Sequence, residues 1–180
     1  MVINMIAKYY YTDKEINELC KSIVVLVDTR EKNNDHIINW LDKKHIKWKA
    51  RALKNGDYSF MIPANTKLNI DRDLYFDKEI MVERKRSLDE VGTNLTTYRA
   101  RFEEEMATYK GKKYLLLENS TYEGIIEENY RNKLSAKAFL ASIHMFNHRY
   151  NLEVMYMPNE QYSAQWIYLT FIYYIKNILR

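Results

Sequence analysis

The sequence predicts an α/β fold, a central mixed β-sheet flanked by helices, on two observations. Short apolar runs alternate with segments of helical period, and charged residues stand at the ends of the apolar runs rather than inside them. The run 23–27, Ile-Val-Val-Leu-Val, is the mark of a strand buried on both faces, and Asp28 stands at its carboxyl end. Before it, Thr12 and Glu15 have the spacing of a capping box, so a helix is expected over 13–21. Ile37, Ile38, Leu41 and His45 recur at helical spacing and predict a helix crossing over the sheet. Strands over 47–53 and 58–62 are expected to join through a turn at Asn55, Gly56 and Asp57. Residues 63–77 show no period and read as a loop near the site. A hydrophobic strand then ends in Val82-Glu83-Arg84-Lys85, and Ser87 with Asp89 and Glu90 behind it reads as a helix start. A helix through Arg101, Phe102 and Met106, a strand over 113–118, a helix over 135–150, a strand over 152–156 and a last helix from about residue 159 complete the pattern.

With 180 residues the chain can build one full core but not two ordinary domains. We divide it into an N-terminal helical extension (1–22), a core domain (23–157) and a C-terminal helix (158–180) packed on the core or at a dimer interface. Sixteen tyrosines argue against disorder, and four glycines with two prolines leave almost no linker material. Cys20 has no partner for a disulfide and no Cys/His spacing resembles a zinc site, so a reducing, intracellular setting is expected. The segment 166–175 is apolar but shorter than the roughly 20 residues a membrane span needs, so no membrane partner is expected. A formal charge of +4 is modest, yet basic residues are grouped in 43–51 and in Arg84-Lys85-Arg86.

The chemistry concentrates in Gly56-Asp57-Tyr58 and Glu83-Arg84-Lys85. Read alone, a Glu-Arg-Lys-Arg run is a solvated surface. Here it follows Ile80, Met81 and Val82 directly, so the strand leaves a buried sheet and presents its polar end where open α/β sheets bind ligands. Glu83 and Lys85 are two residues apart on a strand and project from one sheet face, which Asp57 can reach from a neighbouring strand end. Two carboxylates suit a hard cation, Mg2+ or Mn2+, with coordination sites left for water and a phosphate oxygen. The lysine then orients or helps deprotonate the water, or offsets charge on the phosphate oxygens.

The ordered set Val27-Asp28-Thr29-Arg30-Glu31, Gly56-Asp57-Tyr58 and Val82-Glu83-Arg84-Lys85 with Asp89 resembles the nuclease domain of the XPF-type structure-specific endonucleases, a branch of the PD-(D/E)XK superfamily. Arg101-Phe102 with Glu103 to Glu105, and the strand Tyr114 to Glu118, also resemble the family, so the likeness runs over residues 23–157. It implies a restriction-endonuclease-like core and a Mg2+- or Mn2+-dependent DNA endonuclease acting at branched, flapped or junction DNA in replication, repair or recombination. Asp57 and Glu83 would be metal ligands, Lys85 the catalytic lysine and Asp28 a further acidic ligand. Arg30, Glu31, Arg84 and Asp89 would support the site or touch phosphate; Asp89 reads equally as the neutraliser of its helix N-terminus. The family commonly continues into a helix-hairpin-helix module, for which this sequence has no room, so targeting is expected from the domain, its extensions or a partner protein.

Arg84, Arg86, Lys43, Lys44, Lys47, Lys49 and Arg51 are the expected DNA contacts, and a solvated face is the plain alternative. Tyr9 to Tyr11 and Trp48 are candidates for base stacking or for core packing. His144 and His148 are four apart on one helix but lack a third ligand, and no Gly-rich phosphate loop or nucleophile set is present. A homodimer is expected from the family and from the stripe Ile167, Phe171, Tyr174, Ile175 and Ile178. Two rivals stand beside this reading: a non-catalytic DNA- or partner-binding module, and a PD-(D/E)XK nuclease acting on linear duplex.

Overall fold

The structure is a computed structural model and describes Ile6 and residues 10–180. Its elements run α1 (Asp13–Ser22), β1 (Val24–Val27), α2 (Asp35–Lys43), β2 (Trp48–Ala50), β3 (Tyr58–Ile62), β4 (Leu74–Tyr75), β5 (Ile80–Lys85), α3 (Leu88–Leu95), α4 (Arg99–Thr108), β6 (Lys112–Glu118), α5 (Tyr122–Ile126), α6 (Ala136–Tyr150), β7 (Leu152–Met157) and α7 (Ser163–Leu179). The sheet order is β2-β1-β3-β5-β6-β7, with β4 beside β3. β3 runs against its neighbours β1, β4 and β5, while β1 with β2, and β5 with β6 and β7, pair parallel. The carboxyl ends of β1, β2, β5 and β6 therefore share one edge with the start of β3.

Alternation along the strands sorts side chains between two helical layers. Val25, Val27, Tyr58, Phe60, Ile80, Val82 and Leu116 face a core built with Ile16 and Leu19 of α1, Ile37 and Leu41 of α2 and Ile167, Phe171 and Ile175 of α7. Met81, Leu115 and Leu117 face the other way, against Leu88 and Val91 of α3, Phe102 and Met106 of α4 and Phe139, Ile143 and Phe146 of α6. The capping box at Thr12 and Glu15 starts α1, and Ser87 caps α3 by accepting from the Glu90 N–H.

Three expectations change. The hairpin between 47–53 and 58–62 does not form: β2 and β3 flank β1 on opposite sides. A strand as apolar as β1 needs a neighbour on each edge, and the Leu53 N–H donates to Asp28 instead of to β3. The loop 63–77 contains β4, paired through Tyr75 and Leu74 with Met61 and Ile62, and so lies at the end of β3 away from Asp57. The C-terminal stripe closes this chain's own core, because Ile167, Phe171 and Ile175 are buried against the sheet and the half-buried Tyr174 and Ile178 pack beside them. No helix among the described residues is long and apolar enough to cross a membrane.

Candidate active site

β5 carries the centre of the site. Its alternation sends Glu83 and Lys85 to the Met81 side and Arg84 to the Val82 side, and all three are buried. The Lys85 ammonium donates to Glu83 Oε1 at 2.5 Å, and Glu90 Oε1 stands 3.9 Å from it. Burial disfavours the charged ammonium, but Glu83 and Asp57 outweigh it and raise the Lys85 pKa, so this lysine is a fixed cation.

Asp57 enters from the turn before β3. Gly56 makes that turn with φ +70, and a Cβ there would lie 2.9 Å from the Met81 Cβ, so only glycine lets the turn pass over β5. The Asp57 amide donates to the Val82 carbonyl at 2.9 Å, and its Oδ2 accepts from the Arg84 N–H at 2.7 Å. Burial, then Glu83 and Glu31, push the Asp57 carboxyl well above its ordinary range. Glu105 of α4 joins them: its Oε1 accepts from the Gly56 N–H at 3.3 Å, and burial with the charge of Glu83 raises its pKa. Sequence reasoning left Glu105 outside the site. The signal was there in the register of α4, where Phe102 and Met106 are buried and Glu105 lies one position short of Met106.

Asp28 is taken up by partners of its own. Its Oδ1 accepts from the Arg30 N–H (2.7 Å) and Nε (2.8 Å), and its Oδ2 from Arg30 Nη2 (3.0 Å) and the Leu53 N–H (2.7 Å). Four donors fill a carboxylate's lone pairs. Burial raises the Asp28 pKa, but these bonds outweigh it and hold the carboxyl below its ordinary range. Among the described residues no three His, Cys, Asp or Glu side chains are arranged to hold one metal ion, so the expected trio of Asp28, Asp57 and Glu83 is not assembled. Asp28→Asn is expected to lose about 1.5–3 kcal/mol of stability at neutral pH, the range for hydrogen bonds to a charged group. A lowered folded pKa gives stability that is present above the unfolded pKa and is lost as pH falls through the folded one. The gap between wild-type and variant melting temperatures should thus narrow near pH 3; a pH-independent gap overturns this role.

Arg84 is corrected as well. Its side chain is 2% exposed, ion-paired to Glu31 and Glu118, with Nη2 on the Asn33 carbonyl at 3.0 Å, so it cannot touch DNA. Glu118 is fully buried, 2.8 Å from Arg84 Nε and 2.8 Å from His36 Nε2. Burial raises the Glu31 pKa, against the pull of Arg84. Asp89 Oδ1 accepts from the Arg131 and Asn132 amides at 2.6 and 3.1 Å and so ties the loop before α6 to α3, which is a structural role.

The basic residues divide. Lys49 sits opposite Leu26 in the ladder, and Lys47 and Arg51 continue its alternation, so the three follow the sheet face that carries Asp57 and Glu83. Arg51 lays its guanidinium over the Tyr75 ring, 3.9 Å from the centroid. Lys43 and Lys44 end α2 in the opposite layer, where Lys44 borders a groove with Trp40 and Tyr168. Arg86 is exposed, 3.7 Å from Glu90. Trp48 donates to Asp42 Oδ1 at 2.9 Å; Tyr11 donates to the Leu68 carbonyl, Tyr10 is exposed, and Tyr9 lies outside the described residues. His144 and His148 are exposed on α6.

The chain is thus a three-layer α/β/α domain with carboxylates and a lysine gathered at the carboxyl edge of its sheet, the place where open α/β sheets bind ligands. The chain belongs to the ERCC4 domain family, whose model matches residues 27–170. Its fold is that of the XPF nuclease: XPF from Aeropyrum pernix superposes with a TM-score of 0.62 at 17% identity over 86% of this chain and 66% of that one. XPF from Aeropyrum pernix in complex with DNA superposes with a TM-score of 0.61, again at 17% identity, over 86% and 65%. The chain thus spans just under two thirds of the length of those structures. No curated protein matches it in sequence.

Proposed function

We propose that this chain is a divalent-metal-dependent DNA endonuclease that cuts at branched, flapped or junction DNA. The observation that carries the reading is the meeting of Asp57, Glu83 and Lys85 on one face at the carboxyl edge of the sheet. The donor set fits Mg2+ or Mn2+. Among the described residues the hydrogen bonds to Asp57 and Glu83 fall on Oδ2 and Oε1, and Oδ1 and Oε2 remain as hard oxygen donors, a two-carboxylate arrangement that Mg2+ accepts with waters. Bound there, the ion supplies Lewis-acid polarisation of the phosphate and a water of lowered pKa. The Arg84 amide fixes Asp57, and Lys85 both steadies Glu83 and stands as a positive charge against the charge that builds on the phosphate oxygens.

Labelled fork, flap, nicked and linear DNAs, each incubated with the protein in Mg2+, Mn2+ or EDTA, test the reading. Metal-dependent incision of the branched substrates with linear duplex spared is expected. Equal cutting of linear duplex would move the protein to the sequence-directed nucleases, and binding without incision in any metal would make it a non-catalytic module.

In this proposal Lys47 and Lys49 hold the phosphates of a duplex arm, Arg86 lies closer to the cut, and Lys43 and Lys44 take no part. Each phosphate contact adds roughly 0.9 to the slope of log K against log salt, so Lys47→Gln with Lys49→Gln should flatten the slope by up to about 1.8. The Lys43→Gln, Lys44→Gln pair should leave it unchanged, and equal slopes for the two pairs would remove the edge strand from the interface. Pairing of two copies belongs to the same proposal and has to use a surface other than the buried stripe of α7; light scattering that shows only monomer over a wide concentration range rejects it.

A further inference from the structure

The four carboxylates Asp57, Glu83, Glu31 and Glu105 repel a polyanion. The two cations among them are already engaged: Lys85 is held by Glu83, and Arg84 by Glu31 and Glu118. A DNA strand therefore needs positive charge beside the site to lie against it. Such charge borders a cleft of about 220 Å³ between the loop that leads into Gly56 and the face of α4, lined by Arg30, Lys54, Arg101, Glu104 and Glu105 among others. Arg101, Glu104, Glu105 and Thr108 follow at i, i+3, i+4 and i+7, so one helix face forms the wall while Phe102 and Met106 anchor the adjoining face in the core.

The cleft and the site share a wall. Glu105 lines the cleft, holds the Gly56 amide and feels the charges of Glu83 and Lys85, and Arg30 feels those of Glu105 and Asp57. Arg30 is largely engaged with Asp28 and the Leu53 carbonyl. Lys54 and Arg101 are exposed; neither has an ion pair within 4 Å among the described residues, and the charge of Arg101 acts on Glu105 from farther off.

Resting on the endonuclease reading, we propose that this cleft is a phosphate subsite: Lys54 and Arg101 bind one backbone phosphate of the strand being cut, next to the scissile one, and so set where incision falls. Both cations act on a single phosphate. Phosphate contacts fix register without reading sequence, and a reacting group misplaced by about 1 Å loses about a hundredfold in rate. Glu104 and Glu105 in the same cleft oppose a second phosphate, which limits the subsite to one.

The test is a methylphosphonate scan. Fork DNAs that carry one neutral linkage at each position around the cut are incubated with wild type and with the Lys54→Gln, Arg101→Gln double variant, whose folding is checked by circular dichroism. Wild type should lose cleavage by about tenfold or more at one linkage beside the scissile phosphate, and in the double variant that linkage should behave like its neighbours. Anisotropy titrations on the same DNAs should show that linkage weakening wild-type binding, and a salt slope flattened by about 0.9 in the variant, one contact's worth. Identical scans and slopes for wild type and variant overturn the subsite. If wild type cuts nothing, the endonuclease reading fails, and the anisotropy arm still decides the subsite by itself.

Discussion

Asp57→Ala, Glu83→Ala and Lys85→Ala are each expected to lower incision of fork DNA by about 10³-fold or more while fork affinity changes little, because each group acts on charge that develops in the transition state. Mg2+ should raise the melting temperature of wild type, since an ion that binds only the folded chain stabilises it by mass action, and should leave Asp57→Ala unmoved. In EDTA the sign reverses. Burial and the charges of Glu83 and Glu31 raise the Asp57 pKa, and a carboxyl with a raised folded pKa gives stability below its unfolded pKa that is lost as pH rises through the folded one. Asp57→Asn should therefore melt higher than wild type in EDTA at neutral pH, with a smaller advantage in acid. Wild-type rates in these three variants would sink the site assignment. A metal-free Asp57→Asn that melts lower than wild type would show that Asp57 is held by its amide bond more than it is crowded by its neighbours.

The elements were legible wherever local pattern and burial agree. The capping box of α1, the apolar run of β1, the strand that ends in Glu83 and Lys85 and the helical period of α6 all appear within a few residues of where the sequence puts them. Strand neighbours were less legible, because pairing is a long-range choice. Asn55-Gly56 reads as a hairpin turn, yet the chain uses Gly56 to pass over Met81 and places β1 between β2 and β3. Within the site, spacing on one strand sorted Glu83 and Lys85 onto a common face. The same alternation turns Arg84 inward, so a residue that looks like part of a basic surface run is a buried ion-pair member. Asp28 was misread for a related reason: its place at a strand end is visible in the sequence, but the four donors that fill it come from Arg30 and from Leu53, 25 residues away. Glu118, His36 and Glu105 reach the site only through tertiary packing.

Arg84→Met is expected to destabilise the fold by about 3–5 kcal/mol, the range for removing one partner of a buried ion pair. The arginine is 2% exposed and stands between Glu118, at 0%, and Glu31, at 13%, so its loss strands one fully buried and one half-buried carboxylate without their cation. Adding Glu118→Gln to Arg84→Met removes one of those charges and should recover part of the loss in a denaturant titration, whereas two independent surface residues would add. The same variants separate structure from DNA contact. Below its melting temperature Arg84→Met should bind fork DNA with a wild-type salt slope, while Arg86→Gln, on the exposed side of the strand end, should flatten it. Incision should nonetheless fall in Arg84→Met, because the Arg84 peptide N–H holds Asp57 Oδ2 at 2.7 Å and the side chain anchors that peptide between the loop before α2 and Glu118 of β6. Wild-type stability in Arg84→Met, or a salt slope flattened as in Arg86→Gln, would return this arginine to the surface; loss of stability and incision with the slope intact makes it the brace that holds Asp57 beside Glu83.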